Sequence, residues 1–235
     1  MAGKLIDLSH TIVAGMTTYK GLPGPYICDF LSREQSAANY DDGSTFQIGR
    51  IDMVANTGTY VDVPSHRWED GDDLSQVALE RLAALDGLCV RSEGLAAGPE
   101  LFEGLNVAGK AVLVHTGWSR HWGTDTYYSD HAFLSEAAAR LLAERGVALV
   151  GIDSHNIDDT RQRTRPVHTA LLRAGIPICE HMTNLAALPA AGFRFTAAPP
   201  KVRGMGTFAV RAFAEICPAN SGRASRTVMP ASRAT

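Results

Sequence analysis

Asp62, Pro64 and His66 are the first residues along the chain whose types and spacing suggest chemistry. In an extended segment alternate side chains share a face, so all three begin on one side of the backbone. Positions four apart in a strand lie about 13 Å from each other, so Asp62 and His66 can meet only if the chain turns between them. Pro64-Ser65 offers that turn. A carboxylate and an imidazole brought together at a strand end make either half of a metal site or an acid/base pair. The plainer alternative is a surface Asp and a surface His at a turn. Just upstream, Thr57-Gly58-Thr59 places a glycine inside a strand pattern, a sign of a bulge or of close backbone approach. Asn56 and Tyr60 fall on the face of Asp62, and so many polar groups on one face of a buried strand demand partners.

A second group lies downstream. His168 follows Arg165-Pro166, where a helix can begin, and Glu180 ends the apolar run Ile178-Cys179. A carboxylate at the end of a buried strand is poorly solvated unless paired. Its plainer role is a salt bridge to Arg165 or Arg211. Gly151-Ile152-Asp153-Ser154, followed by Asn156 and Asp158, also ends a buried strand in polar residues, either as a ligand group or as a turn cap. His115-Thr116-Gly117-Trp118 ends another, with Trp118 as packing or pocket wall.

The elements that must position these groups can be outlined from pattern. Extended runs are expected at residues 5–9, 46–54 (with a bulge at Gly49-Arg50), 59–63, 88–90, 111–115, 147–152, 176–180, 193–197 and 207–214. Residues 14–46, rich in Gly, Pro, Asp and Tyr, read as a long irregular excursion. Ser75 could cap a helix reaching Leu85. Ser135 caps the clearest helix, with residues 137–142 as its body and Gly146 as its terminator, and a third helix is expected over residues 167–174. Strands and helices in this order suit an α/β domain with a mixed sheet and packed helices rather than a doubly wound sheet or an eight-unit barrel.

Composition narrows the function classes. With 235 residues, one domain is the expectation, over residues 1–217, followed by a Ser/Ala/Arg/Pro-rich tail over residues 218–235. The net charge of -3 and the lack of a basic patch argue against nucleic acid as a partner. No run of about 18 apolar residues occurs, so no membrane partner or span is expected. Cys28, Cys89, Cys179 and Cys217 form no C-x-x-C pair and read as free thiols in a reducing cytoplasm. Tyr19, Tyr26, Trp68 and Phe208 are candidate aromatic walls for a substrate pocket, with core packing as the alternative for each. Arg67, directly after His66, could pair with a substrate carboxylate or simply be solvated.

Taken in order, these segments resemble the bacterial kynurenine formamidase, or cyclase, family over nearly the whole chain. The family signature H-x-G-T-H-x-D-x-P-x-H appears as Asn56-Thr57-Gly58-Thr59-Tyr60-Val61-Asp62-Val63-Pro64-Ser65-His66. The strand end Gly151-Ile152-Asp153-Ser154, the turn Thr116-Gly117-Trp118 and the pair His168 and Glu180 match as well. The resemblance implies a swivelling β/β/α fold, a homodimer or larger assembly, and hydrolysis of a small amide, formamide or lactam, as in tryptophan catabolism. It implies a centre of one or two Zn or Mn ions held by the signature residues with the later His and Glu. Here Asn56 and Tyr60 replace both histidines of H-x-G-T-H, while Asp62, His66, His168 and Glu180 remain. The resemblance therefore implies one divalent ion, Zn or Mn, on those four, in a setting richer in oxygen donors, which favours Mn or Mg over Zn. His66 or His168, whichever is not ligated, would shuttle protons, and Tyr60 would donate to a developing oxyanion. The alternative is a metal-free cyclase, dehydratase or isomerase of an aromatic or polyketide-like substrate, with Tyr60 and His66 as acid and base and Asn56 orienting a carbonyl. A non-catalytic binding protein is a third reading.

Overall fold

A computed structural model describes residues 3–216. Thirteen strands and three α-helices follow in order: β1 (Lys4–Asp7), β2 (Tyr26–Leu31), α1 (Arg33–Ser36), β3 (Ile48–Asp52), β4 (Tyr60–Asp62), β5 (Leu85–Arg91), β6 (Ala96–Ala97), β7 (Ala111–His115), β8 (Phe133–Leu134), α2 (Glu136–Glu144), β9 (Leu149–Ile152), α3 (Pro166–Arg173), β10 (Ile178–Glu180), β11 (Ala191–Thr196), β12 (Thr207–Ala209) and β13 (Phe213–Ile216). Nine strands form one mixed sheet in the order β1-β13-β11-β5-β7-β9-β10-β4-β12. Its centre, from β5 to β10, is parallel, and antiparallel strands flank it on both sides.

The central strands are apolar on both faces because both faces are covered. Val112 and Val114 of β7 pack with Leu142, Leu171 and Leu172 from α2 and α3. Leu113, between them, packs with Met182, Phe193 and Phe195 on the other side. The helix α2 forms as its sequence suggests: Ser135 Oγ accepts from the Ala138 N–H at 3.2 Å, and Gly146 takes φ 69° just beyond the end.

Three expectations are corrected. Residues 75–85 form no α-helix. Asp73 Oδ1 accepts from the Ser75 N–H at 2.7 Å and from its hydroxyl at 2.6 Å, a local side-chain turn that competes with helix. Only a short 3-10 turn, Leu79–Arg81, follows, and Leu85 already opens β5. The excursion over residues 14–46 contains regular structure: β2 pairs with β3, and Ser32 and Gln35 cap α1 reciprocally. The irregularity of that hairpin lies between Asp29 and Leu31, on the strand opposite Gly49. The run over residues 207–214 is two strands. β12 is one edge of the nine-stranded sheet, and β13 lies next to the other edge. The three residues between them bond both ways, with Val210 N–H donating to Thr59 O at 2.9 Å and Ala212 O accepting from the Leu8 N–H at 2.9 Å. The sheet therefore curls until its two ends are neighbours.

Cys28, Cys89 and Cys179 are free thiols. Cys217 and the expected tail lie outside the described residues. No helix among the described residues is long and apolar enough to cross a membrane.

Candidate metal centre and active site

The short strand β4 is held between β10 and β12, and its register sets the site. Tyr60 lies opposite Glu180 on one side and Ala209 on the other. Asp62 lies opposite Ile178 and Thr207. Pro64–His66 is a 3-10 turn that folds the chain back directly after β4. The Leu74 N–H and the Gly206 carbonyl, on opposite flanks of this turn, bond to Met205 and Val63 at 2.9 and 2.8 Å. The result brings His66 Nδ1 to 3.6 Å from Asp62 Oδ1. His168, in the first turn of α3, places Nε2 at 3.5 Å from Asp62 Oδ2 and 3.7 Å from Glu180 Oε1. Asp62, His66 and His168 each present one donor atom within 4.8 Å of the others.

The hydrogen bonds fix the protons. Asp158 Oδ2 accepts from His168 Nδ1 at 2.6 Å, while the backbone N–H groups of Val167 and His168 donate to the same carboxylate. This turns His168 Nε2 toward Asp62 and Glu180, the arrangement by which a carboxylate orients an imidazole that can ligate an ion once its second proton leaves. Thr207 Oγ1 donates its single proton to Asp62 Oδ1 and so accepts from His66 Nδ1 at 2.8 Å. His66 Nε2 is then the basic nitrogen, on a side chain that is 36% exposed. Tyr60 donates to Glu180 Oε2 at 2.5 Å, and the Ile157 N–H donates to Glu180 Oε1 at 2.5 Å. Tyr19 Oη lies 2.8 Å from Tyr60 Oη and accepts from Asn156 Nδ2 at 3.0 Å.

The electrostatics favour positive charge at this point, carried by the His168 imidazolium or by an ion that replaces its proton. Asp62 Oδ2 is buried and has no hydrogen-bond partner, a costly condition for a carboxylate oxygen. Burial pushes the Glu180 carboxyl up to about 7, with the neighbouring Asp62 charge adding to the effect and His168 opposing it. Burial works against charge on His168, yet Glu180, Asp158 and Asp62 together hold it up to about 10. Three carboxylates thus surround one imidazole. Burial also raises Tyr60 well above the ordinary phenol range, so this hydroxyl keeps its proton for Glu180.

These groups open into a cavity of about 260 Å³ lined by Tyr19, Leu22, Asn56, Tyr60, Asp62, His66, Asn156, Arg165, His168 and Glu180. Tyr19 and Asn56, singled out in the sequence, are thus at the cavity. Arg67, Trp68 and Phe208 are not among its walls. Arg67 is exposed and donates to Thr169 Oγ1 at 2.9 Å. Trp68 packs under the Arg173 guanidinium, 4.9 Å from its ring centre. Phe208 packs against the core beneath β12. Tyr26 is exposed on β2. Glu180 pairs with neither Arg165 nor Arg211; the latter bonds Asp7. Asp153 serves as a turn cap, accepting from Thr116 and Gly117.

Sequence reading missed Thr207 and left Asp158 among the polar residues after a strand end, without its tie to His168. The available signal for Asp158 was an acidic residue shortly before a helix whose first residues include His168. Behind Tyr19 and Tyr60 lies a further group, His10, His155 and His181, among the rings of Trp122 and Tyr127. Burial lowers all three imidazoles, His10 to about 4 and His155 to about 3.

Residues 6–159 match the family described as putative cyclase. The kynurenine formamidase of Erythrobacter litoralis (strain HTCC2594) is 25% identical over 199 residues, covering 85% of this chain and 88% of its own length. That of Bacillus cytotoxicus (strain DSM 22905 / CIP 110041 / 391-98 / NVH 391-98) is 26% identical over 182 residues, covering 77% of this chain and 83% of its own. A solved potential metal-dependent hydrolase with cyclase activity superposes with a TM-score of 0.75 at 26% identity, over 92% of this chain and 100% of its own. Isatin hydrolase A from Labrenzia aggregata shares the fold, with a TM-score of 0.77 at 21% identity over 92% and 94% of the two chains. The mixed curled sheet, the strand that carries Asp62 and the match over residues 6–159 lead to one assignment: this chain belongs to the cyclase family.

Proposed function

We propose that this chain hydrolyses a small amide, a formamide or a lactam, with water activated at the cavity between Asp62, His66, His168 and Glu180. The observation that carries this reading is the buried, unpartnered Asp62 Oδ2 facing His168 Nε2, whose other nitrogen is fixed by Asp158. Two carboxylates and one imidazole, with the second imidazole of His66 beside them, suit one divalent ion, Zn or Mn. Such an ion would be held by Asp62, His168 and Glu180 with His66 beside them, and would supply a water of lowered pKa and polarise a carbonyl.

The remaining steps belong to the side chains. His66 Nε2, left basic by the Thr207 bond, takes a proton from the attacking water and returns it to the leaving nitrogen. Tyr60 and the Ile157 N–H hold Glu180 by one bond to each oxygen, so its orientation is set before substrate arrives. The Tyr60 proton is thereby committed to Glu180, which argues against Tyr60 as oxyanion donor and against a metal-free reaction with Tyr60 as acid. Metal analysis of purified protein, followed by aryl formamidase assay with and without chelator, tests the reading; full activity in metal-free protein would overturn it. Asp158→Asn should weaken metal binding about 10- to 100-fold, read by competition with a chromogenic chelator.

The chain also acts as a homo-oligomer in this reading. The β2-β3 hairpin is a two-stranded sheet apart from the main one, with Tyr26, Phe30 and Ile51 at 64, 69 and 50% exposure. A hairpin of this kind is marginal in water unless covered. Phe30→Asp with Ile51→Asp should shift the molar mass from dimer to monomer in light scattering; an unchanged mass would remove the hairpin from the interface.

A further inference from the structure

Arg165 is the one Arg or Lys among the cavity-lining residues. It shares that cavity with Asp62 and Glu180 but forms an ion pair with neither. Its Nη1 donates to the backbone carbonyls of Gln162 at 2.6 Å and Thr164 at 2.7 Å. Among the described residues its Nε and Nη2 have no protein acceptor. The guanidinium is not needed for the start of α3 either, because Asp158 already takes the Val167 and His168 N–H groups. A half-buried guanidinium pinned through one nitrogen, with two adjacent donors free, is preorganised for a planar two-oxygen anion. Pro166, which follows directly, restricts the backbone that carries it.

We propose that Arg165 is a carboxylate subsite, so that the substrate is a small amide bearing a carboxylate, held by Nε and Nη2 while its carbonyl lies toward Asp62 and His66. The cavity volume of about 260 Å³ lies just below the range of roughly 300–1,000 Å³ typical of drug-sized ligands, which limits the ligand to about one ring. The statement about the amide rests on the hydrolase reading; the anion subsite does not.

The test separates the two. Benzoate and benzamide, equal in shape and different in charge, are titrated calorimetrically into chelator-treated protein, so that no ion at Asp62 contributes. Benzoate should bind about 10- to 100-fold more tightly than benzamide. Arg165→Gln should remove the difference, and Arg165→Lys, which keeps charge without the fork, should retain only part of it. Equal affinities for the unaltered protein, or a benzoate preference that survives Arg165→Gln in a variant with unchanged circular dichroism, would overturn the subsite. In the activity arm, an aryl formamide with a ring carboxylate should have a lower KM than its methyl ester, and Arg165→Gln should level the two. If neither compound is hydrolysed while benzoate still selects Arg165, the subsite stands and the hydrolase reading falls. If both are hydrolysed alike and benzoate shows no preference, the reverse holds.

Discussion

Asp62→Asn should yield a folded protein with aryl formamidase kcat/KM reduced about 1,000-fold. A ligand carboxylate at a metal centre accounts for several kcal/mol of transition-state stabilisation, and each 1.36 kcal/mol is a factor of ten. Stability should survive for a reason visible in the site. The amide oxygen of Asn can still accept from Thr207, as Asp62 Oδ1 does. Its amide nitrogen would replace the unpartnered Oδ2 beside His168 Nε2, which in turn lies 3.7 Å from Glu180 Oε1. It would offer hydrogens where the unaltered protein has a bare oxygen. Thermal melting together with metal content and kinetics checks this. A folded variant that keeps a tenth of its activity would show that Asp62 is not a ligand of the kind described.

Acid should destabilise the protein well before ordinary carboxylates titrate. His155, with its ring nitrogen Nδ1 buried and unpartnered, is held down to about 3 by burial first, with the neighbouring His131 and Arg165 adding to it. In the unfolded chain it takes a proton near 6.5. The unfolded state therefore binds the extra proton between these values, so the stability His155 contributes is intact above about pH 6.5 and is lost as pH falls toward 3. At pH 5 the loss is about 2 kcal/mol from this side chain, a sizeable part of a typical folding free energy. His181, fully buried, acts in the same direction. Glu180, raised to about 7, acts oppositely over part of that window, because the folded state holds its proton more tightly. The comparison of unaltered protein with His155→Phe isolates the imidazole: denaturant unfolding at pH 7 and pH 5 should show a smaller loss in the variant. Equal losses would mean that His155 is solvated or partnered.

The parts of the site that the sequence makes legible are those whose geometry is local. Asp62 and His66 meet because Pro64 forces a turn between them, and that turn can be read from five residues. His168 and Glu180 could be named from their types and neighbours, and from the family resemblance, because each ends or begins an element. Thr207 could not be named. Its contact with Asp62 depends on β12 pairing with β4, the two residues lying 145 positions apart in the sequence, and nothing local states which strand becomes a neighbour. Arg67 and Trp68 illustrate the opposite error. Adjacency to His66 suggests a place in the pocket, but a 3-10 turn rotates successive side chains by about 120°, and both are turned toward α3 instead. Residues 75–85 were misread because a periodic apolar pattern says nothing about Asp73, whose side chain claims the Ser75 N–H first. The central strands and α2 were legible because burial on both faces and capping leave marks within a few residues.

The pairing of the first strand with the last has a kinetic meaning. Lys4 lies opposite Ile216, and β1 has no other neighbour in the sheet. During synthesis β1 leaves the ribosome more than two hundred residues before its partner β13. Likewise β4, with Asp62 already in place, waits for β10 and then β12. Contacts so distant in sequence slow folding, and the chain carries unsatisfied strand edges until those partners emerge. The cavity is thus completed only after β12 has emerged, and a chain stalled before Thr207 would have the parallel core without a finished site.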